Sequence, residues 1–178
     1  YTMKKLFLIF MIIPVIGCQT NQKPDKETVL KMINDDLNYP RTIDYEIFCS
    51  DPAHAKKLLN LKLDTTGMVT IQKTQKLKDI GSPLISFTEA AQRYLIKPTE
   101  KERKLDIQKV KIAEETISDI KLGNSSESNG KTTIPVTYTV TCTNITPFSA
   151  LMKRDFSKPI NRSAALLFTD GKWKLIKP

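Results

Sequence analysis

The sequence predicts an α+β fold, with helices in the first half packed beside an antiparallel sheet of four to five strands. Three observations predict it. Apolar residues recur at helical spacing at Leu30, Ile33 and Leu37, and again at Ala55, Leu58 and Leu59. Val136, Tyr138, Val140 and Cys142 alternate with Thr137, Thr139, Thr141 and Thr143, which gives a strand one apolar and one polar face. Asp170-Gly171 separates two apolar runs, the signature of a tight hairpin. With 178 residues, 40% of them hydrophobic and 26% charged, the chain can build one buried core.

The N-terminal segment reads as an address. Met3 is taken as the start, Lys4 and Lys5 supply positive charge, and Leu6 to Ile16 is an apolar run too short to span a bilayer. Gly17 and Cys18 follow. The order Val15-Ile16-Gly17-Cys18 resembles the lipobox of bacterial lipoproteins. The resemblance implies that residues 1–17 are a signal peptide, removed before a diacylglycerated and acylated Cys18. Several acyl chains together anchor stably. Gln19, where an aspartate would favour inner-membrane retention, leans toward the outer membrane, facing the periplasm. Cleavage lowers the net charge from +9 to +7, since only Lys4 and Lys5 leave. On an exported protein that charge suits anionic envelope components or solubility.

Residues 18–24 read as a lipidated polar tether. Asp25 caps a helix from Lys26 to Asn38, closed by Tyr39-Pro40. Ile43, Tyr45 and Ile47 alternate with acids in a strand over Thr42 to Cys49. Asp51-Pro52 opens a second helix and Gly67 terminates its region. Met68 to Lys76 and Leu84 to Phe87 are predicted strands, and Thr88 caps a helix over Glu89 to Leu95. The succession of helix, glycine turn, wing strand, second strand and terminal helix resembles a winged-helix motif, here over residues 25–98.

From residue 99 the pattern changes to strands. They are predicted over Leu105 to Ile112, Thr116 to Leu122, Thr132 to Ile145, Ala164 to Thr169 and Lys172 to Ile176. Pro135 suggests an edge position. Gly123 to Gly130 is a polar loop, and Phe148 to Arg154 a short helical turn. In layout the chain is similar to a group of uncharacterised bacterial envelope lipoproteins, in which a winged-helix-like half precedes a curved sheet. The resemblance implies envelope location and no known activity. A cystatin- or NTF2-like curved sheet is the alternative fold.

Little in the composition supports catalysis. His54 is the only histidine, at the start of a surface helix with Asp51 as its only nearby acid. No nucleophile-elbow sequence accompanies a serine. Adjacent acids at Asp35-Asp36 and Glu114-Glu115 point to different faces and form no dyad by themselves. Six scattered glycines offer no phosphate loop, and three cysteines with one histidine cannot build a zinc ribbon. No catalytic residue, metal ligand or cofactor is assigned. Cys49 and Cys142 remain after lipidation of Cys18, and an oxidising compartment lets them pair or leaves both as buried apolar groups. Tyr138, Trp173, Phe148 and Phe87 either line a pocket or fill the core.

The expectation is a non-catalytic, lipid-anchored envelope protein that binds an unidentified envelope protein or surface component. Alternatives are a lipid-tethered small-ligand carrier with an apolar pocket in its sheet, and a tethered hydrolase. Specific nucleic-acid binding is not expected. The helix from Pro52 offers Lys56, Lys57 and Lys62 but no arginine and no asparagine besides Asn60, whereas bidentate base reading favours arginine, asparagine or glutamine.

Overall fold

The computed structural model describes residues 22–80 and 82–176. The signal segment 1–17 and the lipobox cysteine Cys18 lie outside the described residues. Helix α1 spans Lys26–Leu37, strand β1 Arg41–Phe48 and helix α2 Pro52–Asn60. Short strands β2, Val69–Ile71, and β3, Ile85–Phe87, form a separate two-stranded sheet. Strand β4 is Leu95–Ile96, helix α3 Glu100–Lys104, β5 Ile107–Leu122, β6 Ser126–Ser128, β7 Lys131–Thr143, β8 Ile160–Thr169 and β9 Lys172–Ile176. The main sheet is antiparallel and curled, ordered β1-β5-β7-β8-β9, with β4 beside β5 and β6 beside β7. The fold is thus α+β.

Local chemistry explains the element ends. Asp25 accepts from the Thr28 N–H at 2.7 Å, and Asn38 in the left-handed conformation ends α1. Asp51 accepts from Ala53, with Pro52 opening α2. Thr99 and Glu102 form a reciprocal capping box on α3. Asp170 and Gly171 both take positive φ in the β8–β9 hairpin.

A winged-helix half is not seen. Two of its three expected helices pack in different clusters: Ala55 and Leu58 of α2 with Ile47, Val110 and Phe148, but Val29 and Ile33 of α1 with Ile134, Val136 and Leu166. β1 pairs along its whole length with β5, so residues on both sides of position 98 share one sheet. The curl agrees, in that respect alone, with the curved-sheet alternative.

Other differences have local causes. The two strands expected at 105–112 and 116–122 are one, β5, because register shifts beside Ile43/Asp44 and Ile117/Asp119 absorb the break in alternation. Met68 to Lys76 shrinks to three strand residues. Thr88 donates to the carbonyls of Gly67 and Met68 instead of capping, and the following segment is a 3-10 helix. Pro135 lies in an internal strand: its carbonyl accepts from Gly123 where the β5 ladder ends, so its missing N–H interrupts no pairing. A Cβ on Gly123 would meet Pro135 Cγ at 2.6 Å, so the close approach of the two strands favours a glycine there.

The register puts both clusters on one face of the sheet. Tyr45 faces Val110, Ile43 faces Ala113 and Arg41 faces Glu115; the same face continues through Cys142, Ile117–Val140 and Ile120–Tyr138. The cluster holding α2 occupies one end and the cluster under α1 the other. Glu115 sits at the junction.

Candidate functional site

The junction is the most concentrated charge arrangement in the interior. The Glu115 side chain is only 4% exposed. Arg41 Nε donates to its Oε2 at 2.7 Å and Arg154 Nη1 to its Oε1 at 2.8 Å. Arg154 Nη2 donates to Cys142 Sγ at 3.4 Å, and the Arg154 Nε is buried without a partner. The guanidiniums of Arg41 and Arg154 lie 4.9 Å from the ring centroids of Tyr39 and Phe156 respectively. Burial raises the carboxyl pKa of Glu115, but hydrogen bonds and charge from Arg154 and Arg41 together outweigh it and hold it below the ordinary range. A carboxylate so held stays ionised at neutral pH. The cluster therefore pins β1, β5 and the segment after β7 together.

Glu114 and Glu115 do face opposite ways, as adjacent strand residues must. Glu114 bonds to Lys111 and Asn144. Arg41 and Arg154 carry no sequence signal linking them to Glu115, since only the β1–β5 register and the turn after β7 bring them there.

His54 is spent on structure. Its Nδ1 accepts from the Phe48 N–H at 3.1 Å at the outer edge of β1, and its ring packs on Phe48 and Tyr45. No group of three or more metal-ligating side chains occurs among the described residues. The four aromatics divide: Phe148 and Phe87 lie in the α2 cluster, Tyr138 and Trp173 in the α1 cluster. The face behind Tyr138 is filled by Val29 and Ile33, both at 0% exposure.

Cys49 and Cys142 are both free thiols. The Cys49 N–H bonds to Asp106, whereas Cys142 faces Glu115, further along the same strand. At ~3.3 Å per residue the two positions are on the order of 25–30 Å apart along β5, far beyond the ~7 Å Cα separation a disulfide tolerates. The pairing considered from sequence is therefore not formed. Burial pushes the Cys49 thiol up to about 11 and raises Cys142 as well. Both thiols are expected to resist a thiol-reactive dye at pH 8 in the native chain and to react after unfolding. Reaction of Cys49 at its unfolded rate in native buffer would disprove the burial argument.

The chain enters the body at the α1 end. Trp173 Nε1 donates to the Gln22 carbonyl at 3.3 Å, and Lys23 Nζ donates to the Gly123 carbonyl at 2.9 Å. Residues 22 and 23, expected in the tether, are thus attached to the body. Toward the start of β5, α2 and the 3-10 turn Pro147–Leu151 border an open cleft of about 360 Å³. No protein-family model, curated protein or solved structure matches the chain.

Proposed function

We propose that the protein is a non-catalytic, lipid-anchored envelope protein whose folded body is a binding or interaction module. One observation carries the anchor: the basic start, short apolar run, Gly17 and Cys18 stand in lipobox order, four residues before Gln22. Gln22 is held by Trp173. Four extended residues reach at most ~14 Å, so acyl chains on Cys18 would hold the α1 end of the sheet close to the headgroups. Gln19 favours the outer membrane. No helix among the described residues is long and apolar enough to cross a membrane.

The non-catalytic reading is supported by the structural use of His54 and Glu115. The carrier reading has less support, because Val29 and Ile33 of α1 fill the face behind Tyr138, and the cleft of about 390 Å³ left between α1 and β5 beside Leu30, Ile117 and Ile120 is open to solvent.

Labelled fatty acid should enter the wild-type chain in its host envelope, and Cys18→Ser should abolish labelling and leave uncut precursor. A wild-type chain that takes up no acyl group overturns the anchor. Membrane fractionation of the labelled protein then tests the outer-membrane location.

A further inference from the structure

We infer that the cleft between α2 and the Pro147–Leu151 turn is a docking site for an acidic peptide segment carrying one bulky apolar side chain. The inference names a partner for the binding module proposed above and rests on that half of the reading, not on the anchor.

The cleft has an apolar floor and a cationic rim. Ala53 and Leu61 form the floor on the helix side, Ala150 and Leu151 on the turn side. Lys56, Lys57 and Lys153 stand around it with Asn60, and no carboxylate lines it. Lys57 is positioned by Tyr45, whose hydroxyl lies 2.9 Å from Nζ and whose ring centroid lies 4.5 Å away. Lys56 and Lys153 are exposed and have no ion-pair partner among the described residues. Three like charges gathered around apolar surface repel one another, and an anionic occupant relieves that repulsion.

Shape selects among anionic occupants. Leu151 at the base of the cleft is buried while Ala53 and Ala150 at its lip are exposed, so a protruding side chain reaches the base and a flat bilayer surface does not. A polyanion without apolar groups would leave the floor unused. At about 360 Å³ the cleft lies near the lower end of the ~300–1,000 Å³ typical of ligand sites, a scale suited to one large side chain and its neighbours. Compact ammonium groups rather than planar guanidinium forks meet the flanking carboxylates. The cleft also lies toward the start of β5, where Thr146 bonds to Lys111 and Ile112, whereas Lys23 bonds to Gly123 just past the end of that strand.

The test is titration of the full chain, with or without its lipid, using a labelled peptide of one phenylalanine between two runs of three glutamates. Saturable binding that weakens with salt is expected. Replacing the phenylalanine by alanine, or the glutamates by lysines, should abolish it. Lys56→Gln with Lys153→Gln should weaken it about tenfold, the effect of two partly exposed ion pairs. Ala53→Leu, which fills the floor and leaves every charge in place, should weaken it too. Thermal melts of the variants distinguish loss of binding from loss of fold. Absence of saturable binding by the folded wild type, or equal binding of the alanine peptide, overturns the inference. So does stronger, lysine-dependent binding to vesicles of anionic lipid, which would make a bilayer the occupant. Acyl labelling is read separately, so failure of the anchor and failure of the cleft are distinguishable.

Discussion

Phe148→Ala is expected to destabilise the protein by about 4 kcal/mol, within the range for emptying a buried aromatic site. Phe148 has 0% exposure and its ring packs 6.2 Å from those of both Phe87 and Tyr94. It therefore ties the β2–β3 sheet and the 3-10 segment Glu89–Tyr94 to the main sheet. The turn that carries it cannot follow a collapsing cavity easily. The Thr146 N–H bonds to Ile112 at 2.9 Å, its hydroxyl donates to Lys111 at 2.6 Å, and the same oxygen accepts from the Phe148 N–H at 3.2 Å. With the backbone fixed on β5, the void left by the ring should persist. For a body of this size the loss corresponds to a fall in Tm of about 8–16 °C. Phe148→Leu, closer in volume, should cost clearly less. Urea denaturation of the two variants checks this, and a loss below about 1 kcal/mol for Phe148→Ala would show that the cluster closes over the gap.

Elements with strong local chemistry were legible in the sequence. Asp25 and Asp51 announced α1 and α2, the threonine alternation announced β7, and Asp170-Gly171 announced the last hairpin. What the sequence hid was long-range. Nothing in Thr42 to Cys49 says that β1 lies against β5, and that pairing is what separates α1 from α2 and replaces a winged-helix half with a shared sheet. Bulges hid the continuity of β5, since an extra residue breaks the period of two on which strand reading depends. Capping box Thr99–Glu102 was readable and marks α3, which strand-like surroundings concealed. At the proposed cleft, the helix-side lysines Lys56 and Lys57 were visible as a basic helix face. Lys153 and Ala150 join them only because the turn after β7 folds back beside α2.

Glu115→Ala should cost about 3 kcal/mol, the lower end of the range for breaking a buried ion pair. The variant leaves two guanidiniums without their carboxylate. Arg41, about half exposed, can turn toward water, whereas Arg154 is 26% exposed and its Nε is already buried without a partner. The penalty therefore falls mainly on Arg154, and Arg154→Met in the Glu115→Ala background should recover part of the loss. A pH series separates the charge from the shape. The folded carboxyl of Glu115 is held below its unfolded value, which for glutamate is about 4.3. Its contribution is therefore complete above that value and is lost as pH falls through the folded pKa. Glu102 behaves in the same sense: the Lys109 side chain and the Thr99 backbone and hydroxyl hold it at about 2. Wild-type stability should thus fall between about pH 4.5 and 2 through both groups. Glu115→Gln, which keeps the size but cannot ionise, should be less stable at pH 7 and show a shallower decline over that window, with the two curves converging in acid. Parallel curves across the whole range would mean that the Glu115 charge contributes nothing to the junction, and that packing alone holds the two ends of the sheet face together.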